Sequence, residues 1–235
     1  MIKSILFDSG RVLNMSSTGH WFIPPKFFEY VNKEKFLLIE KEKINNAFSN
    51  AQKYLFNEKL IKNRKEELKH FINFYKLFSE NLPEIEIKNI EELAKDIVYN
   101  TNKYVFYDDV KEVIPRLKNK YKMAVVSDAW PSLENVFIDA DMKKYFETIV
   151  ISTQIGTLKP DPKMYETAIK SLDVNNSETI FIDDNKNNCM GAEKIGIKSI
   201  LMSRENYDED KEKYKEMLVV KDFYELEKLL QSEII

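Results

Sequence analysis

Four predicted strands each end in, or lead to, a side chain that can take part in chemistry. These side chains are Asp8, Ser127, Lys159 and the adjacent pair Asp183 and Asp184. A carboxylate can act as a nucleophile or bind a hard metal ion, a hydroxyl can donate a hydrogen bond, and an ammonium group neutralises negative charge. In a parallel sheet the carboxyl ends of the strands converge on one edge, which is where open α/β folds bind ligands.

Each of these residues also has an ordinary structural explanation when it is considered alone. A serine at a strand end often caps a turn, a lysine before proline is usually solvated, and an acidic pair often caps the next helix. Four such positions on strand ends that converge are difficult to explain in this way. The pattern therefore favours a common functional site.

The elements that must position these side chains alternate between strands and helices. Continuous apolar runs predict strands that are buried on both faces, as in a parallel sheet. They cover residues 5–7, 122–127, 148–152, 179–183 and 198–202. Helical patterns cover residues 109–118, 132–138, 161–172, 187–195 and 223–230. The right-handed crossover rule makes this α/β pattern a doubly wound parallel sheet.

The segment between the first strand and the rest lacks strand signals. From Lys26 to about Lys103, apolar residues recur at spacings of three and four, which predicts roughly four helices. The sequence Asn81-Leu82-Pro83 separates two of them. We call residues 17–103 the helical insert and expect it above the carboxyl edge of the sheet. Its many aromatic residues are explained by a packed helical core.

The composition is that of an ordinary globular protein. The chain has 235 residues, of which 43% are hydrophobic and 32% charged, with a net charge of −3. This charge gives no electrostatic reason to expect a nucleic acid partner. A single cysteine, Cys189, excludes an intrachain disulfide. No signal peptide pattern and no apolar run of membrane-spanning length is present, so we expect no membrane partner and a cytoplasmic location.

Four segments together resemble the four motifs of the haloacid dehalogenase-like (HAD) hydrolase superfamily. They are Asp8-Ser9-Gly10, Val126-Ser127, Lys159-Pro160-Asp161-Pro162 and Phe181-Ile182-Asp183-Asp184. The strings around the last two are similar to those of the phosphatase branch. The resemblance is close over residues 1–15 and 104–203.

This resemblance implies a domain organisation. Residues 1–16 and 104–235 would form a Rossmann-like hydrolase core. The helical insert, residues 17–103, would be a helical cap of the C1 type, matched only by its position in the chain. Its residues His20, Trp21, Arg64 and His70 are candidates to face the substrate, although the two histidines are more simply explained as surface or boundary residues.

The resemblance also implies roles for three catalytic residues. Asp8 would be the nucleophile that takes up a phosphoryl group, since an acyl phosphate is readily hydrolysed. Ser127 would donate a hydrogen bond to a phosphoryl oxygen. Lys159 would neutralise charge on the nucleophile and the phosphoryl group.

A magnesium site is implied by the same motifs. Asp8, the backbone carbonyl of Gly10 and Asp184 would hold Mg²⁺, with Asp183 contributing through water. Hard oxygen ligands suit this cation. Asn188, four residues after Asp184, would help to fix the loop.

Two positions depart from the phosphatase pattern. Gly10 stands where that pattern has a second aspartate, the general acid for the leaving alcohol, whose contribution is typically ~10²–10⁴-fold. Some sugar-phosphate phosphatases of the family resemble this chain in having glycine there. Asp128 stands where many relatives have asparagine. Arg11 follows Gly10 and could reach a phosphate or lie in solvent.

These observations favour a Mg²⁺-dependent phosphatase that acts on a small phosphorylated metabolite through a phosphoaspartate. Two alternatives remain open. A 2-haloacid dehalogenase-like hydrolase would suit Gly10, because a halide leaves without a proton. The acidic pair Asp183-Asp184 counts against it, because dehalogenation does not require a metal. A catalytically weak regulator that binds phosphorylated ligands would also account for Gly10.

Overall fold

The computed structural model, which describes residues 1–232, contains a six-stranded parallel sheet and a separate pair of short strands. The strands are β1 (Ser4–Phe7), β2 (Asn14–Ser16), β3 (Tyr104–Phe106), β4 (Lys122–Ser127), β5 (Thr148–Ile151), β6 (Thr179–Asp183), β7 (Lys198–Met202) and β8 (Leu218–Val220). The sheet order is β5-β4-β1-β6-β7-β8, and every neighbouring pair is parallel. The predicted doubly wound parallel sheet is confirmed.

The five predicted strands are present, and β8 is an addition. It covers Leu218–Val220 at the sheet edge and was not predicted, although Met217 to Val220 is a continuous apolar run. The strands β2 and β3 were also not predicted. They pair antiparallel to each other and lie at the two ends of the helical insert.

Strand β1 lies in the centre of the sheet because its residues are wholly apolar at the core positions. Ile5, Leu6 and Phe7 are fully buried. Phe7 pairs with Val125 of β4 and with Ile182 of β6. This register delivers the next residue, Asp8, to the carboxyl edge beside the end of β6.

The α-helices are divided between the sheet and the helical insert. Those around the sheet are α6 (Asp108–Lys118), α7 (Leu133–Asp139), α8 (Ser152–Ile155), α9 (Pro162–Leu172), α10 (Lys186–Glu193), α11 (Tyr207–Lys213) and α12 (Phe223–Gln231). Those of the insert are α1 (Phe27–Tyr30), α2 (Lys33–Leu38), α3 (Lys41–Asn57), α4 (Arg64–Asn81) and α5 (Ile90–Tyr99). Short 3-10 turns cover Thr101–Lys103, Lys143–Tyr145 and Asn176–Glu178. Within residues 1–232, no helix combines the length and the apolar character needed to cross a membrane.

The helical insert has an aromatic core of its own. Phe48 of α3 stacks on Phe78 of α4 with ring centroids 4.3 Å apart, and Phe22 stacks on Phe74 at 4.9 Å. Tyr75 is fully buried and donates its hydroxyl hydrogen to the carbonyl of Phe22 at 3.0 Å. The described residues of the insert add no strand to the six-stranded sheet. Most aromatic residues of the insert therefore form its core, whereas Phe28, Phe56 and Tyr99 are exposed.

A buried polar network joins the insert to the loop that follows β4. Ser132 donates its backbone N–H and its hydroxyl to the two carboxylate oxygens of Glu67 in α4, at 2.8 and 2.5 Å. Lys103 donates to Ser132 Oγ at 2.6 Å and to the carbonyl of Ile97 at 2.6 Å. Glu67 is fully buried and the other two members nearly so. One hydroxyl therefore mediates between a buried acid and a buried base.

We predict that Ser132→Ala lowers the free energy of unfolding by about 1–3 kcal/mol, the cost of leaving buried polar groups without a partner. Chemical denaturation measures this change. Ser171→Ala is the matched control, because Ser171 is exposed and its hydroxyl donates to the carbonyl of Thr167 in its own helix. An equal, small effect in both variants would show that the network contributes no stability.

Candidate active site

The turn after β1 fixes Asp8 at the sheet edge. The backbone N–H of Asp8 continues the sheet by donating to the carbonyl of Ile182 at 2.8 Å. The carbonyl of Ser9 accepts from the N–H groups of Leu13 and Asn14, and Asn14 Nδ2 donates to Ser9 Oγ at 2.8 Å. The residues after Asp8 thus form a tight, internally bonded turn.

Lys159 reaches the same place from a loop that packs against α10. Its backbone N–H donates to Asp128 Oδ1 at 2.9 Å. The next residue, Pro160, lies so close to Gly191 that a Cβ on Gly191 would be 2.4 Å from Pro160 Cβ. Only glycine permits this approach. Gly191 therefore lets the loop bring Lys159 over the sheet edge, a role that its helical position gave no reason to predict.

The ammonium group of Lys159 lies between two carboxylates. Its Nζ donates to Asp8 Oδ1 at 2.5 Å and to Asp183 Oδ2 at 2.6 Å. The side chains of Lys159 and Asp183 are 2% and 1% exposed, whereas Asp8 is 10% exposed. Asp8 is thus the most exposed member of this trio.

The carboxylate of Asp183 is fully engaged by hydrogen-bond donors. Besides Lys159, it accepts from the backbone N–H of Asn185 at 2.7 Å and from Asn188 Nδ2 at 3.1 and 3.2 Å. Asn188 therefore holds the loop after β6 through Asp183. With both oxygens occupied, Asp183 positions Lys159.

Asp184 is more accessible and pairs with an exposed cation. Arg11 Nη1 lies 3.2 Å from Asp184 Oδ2, and the Arg11 side chain is 64% exposed. Oxygen atoms of Asp8, Asp183 and Asp184 lie within 4.8 Å of one another, close enough to bind a single metal ion. Hard carboxylate oxygens in this arrangement fit a cation such as Mg²⁺.

The electrostatics of the cluster leave it short of positive charge. Burial raises the pKa of Asp8 to about 8, against the lowering effect of Lys159, and Asp183 adds to the rise. Burial opposes the charged form of Lys159, but Asp8 and Asp183 outweigh it and raise the Lys159 pKa. The lysine is therefore cationic, and the acidic groups around it favour a further cation.

These residues form the floor of a cavity of about 370 Å³. Its other walls are largely aromatic and come from both the helical insert and the rest of the chain. Those walls include Trp21, Phe22, Phe56, Tyr104, Trp130 and Leu133. Asp8, Ser127, Lys159 and Asp184 all border this space, so the structure brings the predicted catalytic side chains together.

Of the four candidates from the insert, one lines the cavity. Trp21 lines the cavity, but His20, Arg64 and His70 do not border it. His20 packs on Phe48 at 4.4 Å, and His70 hydrogen-bonds to the hydroxyl of Tyr54 at 2.8 Å. The other aromatic wall residues, Phe22, Phe56, Tyr104 and Trp130, were not named as candidates from the sequence.

Gly10 lies against the indole of Trp21. A Cβ at position 10 would be 3.3 Å from Trp21 Cη2, and the indole is in turn edge-on to Tyr104 with centroids 5.1 Å apart. The left-handed conformation in this turn belongs to Arg11, with φ 59°, and not to Gly10. Glycine at this position is therefore explained by the bulk of Trp21 rather than by backbone conformation.

The doubly wound sheet and the acidic cluster at its carboxyl edge define an α/β enzyme with a polar active site below an aromatic cavity. The sequence matches the family described as haloacid dehalogenase-like hydrolase over residues 26–202, well over half of the chain. The protein belongs to this family and is a hydrolase. The matched range contains Ser127, Lys159 and Asp183 but begins after Asp8.

Individual relatives are similar at low identity. A glyceraldehyde 3-phosphate phosphatase from Pyrococcus furiosus is 26% identical over 145 residues, which are 58% of this chain and 60% of that protein. The alignment thus spans less than two thirds of the relative.

Two solved structures share the fold over most of the chain. The L-2-haloacid dehalogenase of Xanthobacter autotrophicus has a TM-score of 0.68 and 16% identity, covering 99% of this chain and 100% of that one. A HAD family enzyme from Bacteroides thetaiotaomicron, in complex with magnesium and inorganic phosphate, has a TM-score of 0.60 and 19% identity, with coverages of 86% and 95%. At these identities the likeness concerns the fold.

We predict that Gly10→Ala destabilises the protein by about 1–3 kcal/mol, because the indole held by Tyr104 has little room to move. In a Trp21→Leu background the same change should stabilise by about 0.4–1 kcal/mol, as expected where alanine fits the backbone. A double-mutant cycle of unfolding free energies measures both values. Stabilisation by Gly10→Ala in both backgrounds would contradict the steric explanation.

Proposed function

We propose that this hydrolase is a Mg²⁺-dependent phosphatase that cleaves a small phosphorylated metabolite through a phosphoaspartate on Asp8. One observation carries the proposal: Lys159 is buried between Asp8 and Asp183, and Asp8 is the more exposed carboxylate of the pair and borders the cavity. A carboxylate held in this way is oriented for attack on an electrophile above the sheet edge.

The chain's own residues would perform distinct parts of the reaction. Asp8 attacks phosphorus and the ester oxygen departs. Lys159 neutralises charge on Asp8 and on the transferring phosphoryl group, and Ser127, at the end of the neighbouring strand, donates a hydrogen bond to a phosphoryl oxygen. Water then hydrolyses the acyl phosphate and frees Asp8.

Asp8, Asp184 and the carbonyl of Gly10 would hold Mg²⁺. Asp183 would contribute through water and hold Lys159 in place. The cation would stabilise the negative charge of the phosphoryl group, as hard divalent ions do in phosphoryl transfer. The charge balance supports this assignment. A phosphate dianion would otherwise meet a floor on which Lys159 is already matched by two carboxylates.

We propose that the helical insert, residues 17–103, acts as a cap on a core of residues 1–16 and 104–235. Trp21, Phe22 and Phe56 contribute its share of the cavity wall above Asp8. A cap in this position would exclude water from the phosphoaspartate until the leaving group has departed. The β2–β3 pair at its two ends is where a hinge would lie.

The substrate class follows from the size of the cavity and from the phosphatase relative. About 370 Å³ is at the lower end of the range for small-molecule sites. A relative is named for glyceraldehyde 3-phosphate, a compact phosphate ester. We therefore propose a phosphate monoester of a small metabolite.

The two alternatives named from the sequence are less well supported. A 2-haloacid would bring its carboxylate to a cavity bordered by Asp8, Asp128 and Asp184. A regulator would need the same phosphate-binding groups but no turnover. Hydrolysis of an aryl phosphate with Mg²⁺ distinguishes the phosphatase from both.

We predict that Asp8→Asn lowers turnover of an aryl phosphate by at least about 10⁴-fold, the scale seen when a nucleophile is removed. The amide can still accept a hydrogen bond from Lys159, and Asp183 still pairs with the ammonium group, so the protein should remain folded. Asp173→Asn is the control, because Asp173 is exposed and left-handed with φ 52°, a conformation that asparagine tolerates. Retention of more than a few per cent of activity by Asp8→Asn would remove Asp8 from the nucleophile role.

We predict that substitution of Asp184 affects mainly metal binding, whereas substitution of Asp183 affects mainly stability. Asp184→Asn should weaken Mg²⁺ binding by about 100-fold or more, at or above the upper end of the loss seen for supporting groups. Asp183→Asn should instead lower stability by about 3 kcal/mol, because its amide would face the donors Lys159, Asn185 and Asn188. Calorimetric titration with Mg²⁺ and chemical denaturation measure the two effects. Equal losses of metal affinity in both variants would contradict the division of roles.

A further inference from the structure

The proposed reaction needs a proton for the departing oxygen, and position 10 has no side chain to provide one. Trp21 fills the space beside Gly10. The proton donor must therefore come from elsewhere on the cavity wall. Among the described residues, the ionisable side chains on this wall are Asp8, Arg11, Tyr104, Asp128, Lys159 and Asp184.

Most of these groups are committed to other contacts. Asp8 is the proposed nucleophile, and Asp184 is paired with Arg11 and assigned to the metal. Lys159 is held in its charged form by two carboxylates, so it cannot give up a proton in the first half-reaction and take one up in the second. The hydroxyl of Tyr104 can donate, but burial raises its pKa, so its anion is not available as a base.

Asp128 is placed to meet the leaving group. It directly follows Ser127, at the end of the strand beside β1, and its Oδ1 accepts only the backbone N–H of Lys159 among the described residues. It borders the cavity above Asp8 and also a second cavity of about 220 Å³, which extends toward Phe56 and Lys59. A leaving group that extends from the phosphorus into this second space passes Asp128.

We infer that Asp128 donates the proton to the departing oxygen and then takes a proton from the attacking water. This inference rests on the proposed phosphatase function and deepens it. The walls that partly desolvate Asp128 raise its pKa, against the lowering effect of Lys159, which helps the carboxyl to hold a proton. An anionic substrate nearby would favour the protonated form further.

The two half-reactions balance with one carboxyl acting in both directions. In the first, an Asp8 oxygen forms a bond to phosphorus, the ester P–O bond breaks, and the Asp128 proton moves to the departing oxygen to give an alcohol. In the second, water forms a bond to phosphorus and gives a proton to Asp128, and the bond between phosphorus and Asp8 breaks. Inorganic phosphate leaves and both carboxyl groups are restored.

The test compares Asp128→Asn with Asp128→Ala on an alkyl phosphate and an aryl phosphate, both with Mg²⁺. Asparagine keeps the acceptor for the Lys159 N–H but cannot transfer a proton, whereas alanine loses both. We expect kcat/KM for the alkyl phosphate to fall by ~10²–10⁴-fold in both variants. For the aryl phosphate, whose leaving group needs little protonation, kcat/KM should fall by less than about tenfold.

The second half-reaction supplies an independent readout. With the aryl phosphate, both variants should release a rapid burst of the aromatic alcohol and then turn over slowly, because the phosphoaspartate accumulates. If Asp128→Asn matches the wild type and only Asp128→Ala is impaired, Asp128 merely positions the Lys159 loop. If Tyr104→Phe loses alkyl phosphate turnover while Asp128→Asn retains it, the phenol is the donor.

Failure of this inference is distinguishable from failure of the proposed function. Aryl phosphate turnover by the wild type that is lost in Asp8→Asn supports the phosphatase whatever Asp128 does. Lack of that turnover would reject the proposed function and this inference together.

Discussion

The arrangement at the sheet edge depends on one buried cation shared by two carboxylates. Lys159 is almost inaccessible, and a buried charge of this kind is costly unless it is paired and hydrogen-bonded. Asp183 accepts a hydrogen bond from Lys159 and is itself held by Asn188 and Asn185. Asp8, which borders the cavity, accepts the second hydrogen bond from Lys159. The same contacts that make the lysine tolerable therefore orient the proposed nucleophile.

The fold supplies this arrangement by bringing distant parts of the chain to neighbouring strand ends. Asp8 directly follows β1 and Asp183 is the last residue of β6, and these two strands are hydrogen-bonded neighbours. Lys159 comes from a loop that can pack against α10 because Gly191 has no side chain. The helical insert is joined to the sheet through the Glu67–Ser132–Lys103 network and through Trp130, whose ring lies 5.2 Å from that of Phe71. The wall of the cavity is thereby tied to the loop that follows Ser127 and carries Asp128.

Much of the fold could be predicted from the sequence, because continuous apolar runs mark central parallel strands such as β1 and β6. The short strands β2 and β3 lie outside the six-stranded sheet and show no such run, and the apolar run of β8 at the sheet edge was not recognised as a strand. The convergence of Asp8, Ser127, Lys159 and Asp183 followed from strand ends alone. The cavity wall could not be predicted in the same way, since Trp21 and Trp130 lie in loops, and the fit of Trp21 against Gly10 depends on contacts between residues that no periodicity relates.

In the proposed reaction Asp8 carries the phosphoryl group during turnover. Borohydride reduces an aspartyl phosphate to homoserine, so quenching the reacting enzyme with borohydride and sequencing its peptides by mass spectrometry identifies the phosphorylated residue. We expect homoserine at position 8, formed only when Mg²⁺ and a phosphate ester are present. Steady hydrolysis of the ester with unmodified aspartate at position 8, or with homoserine at position 128, 183 or 184 instead, would contradict it.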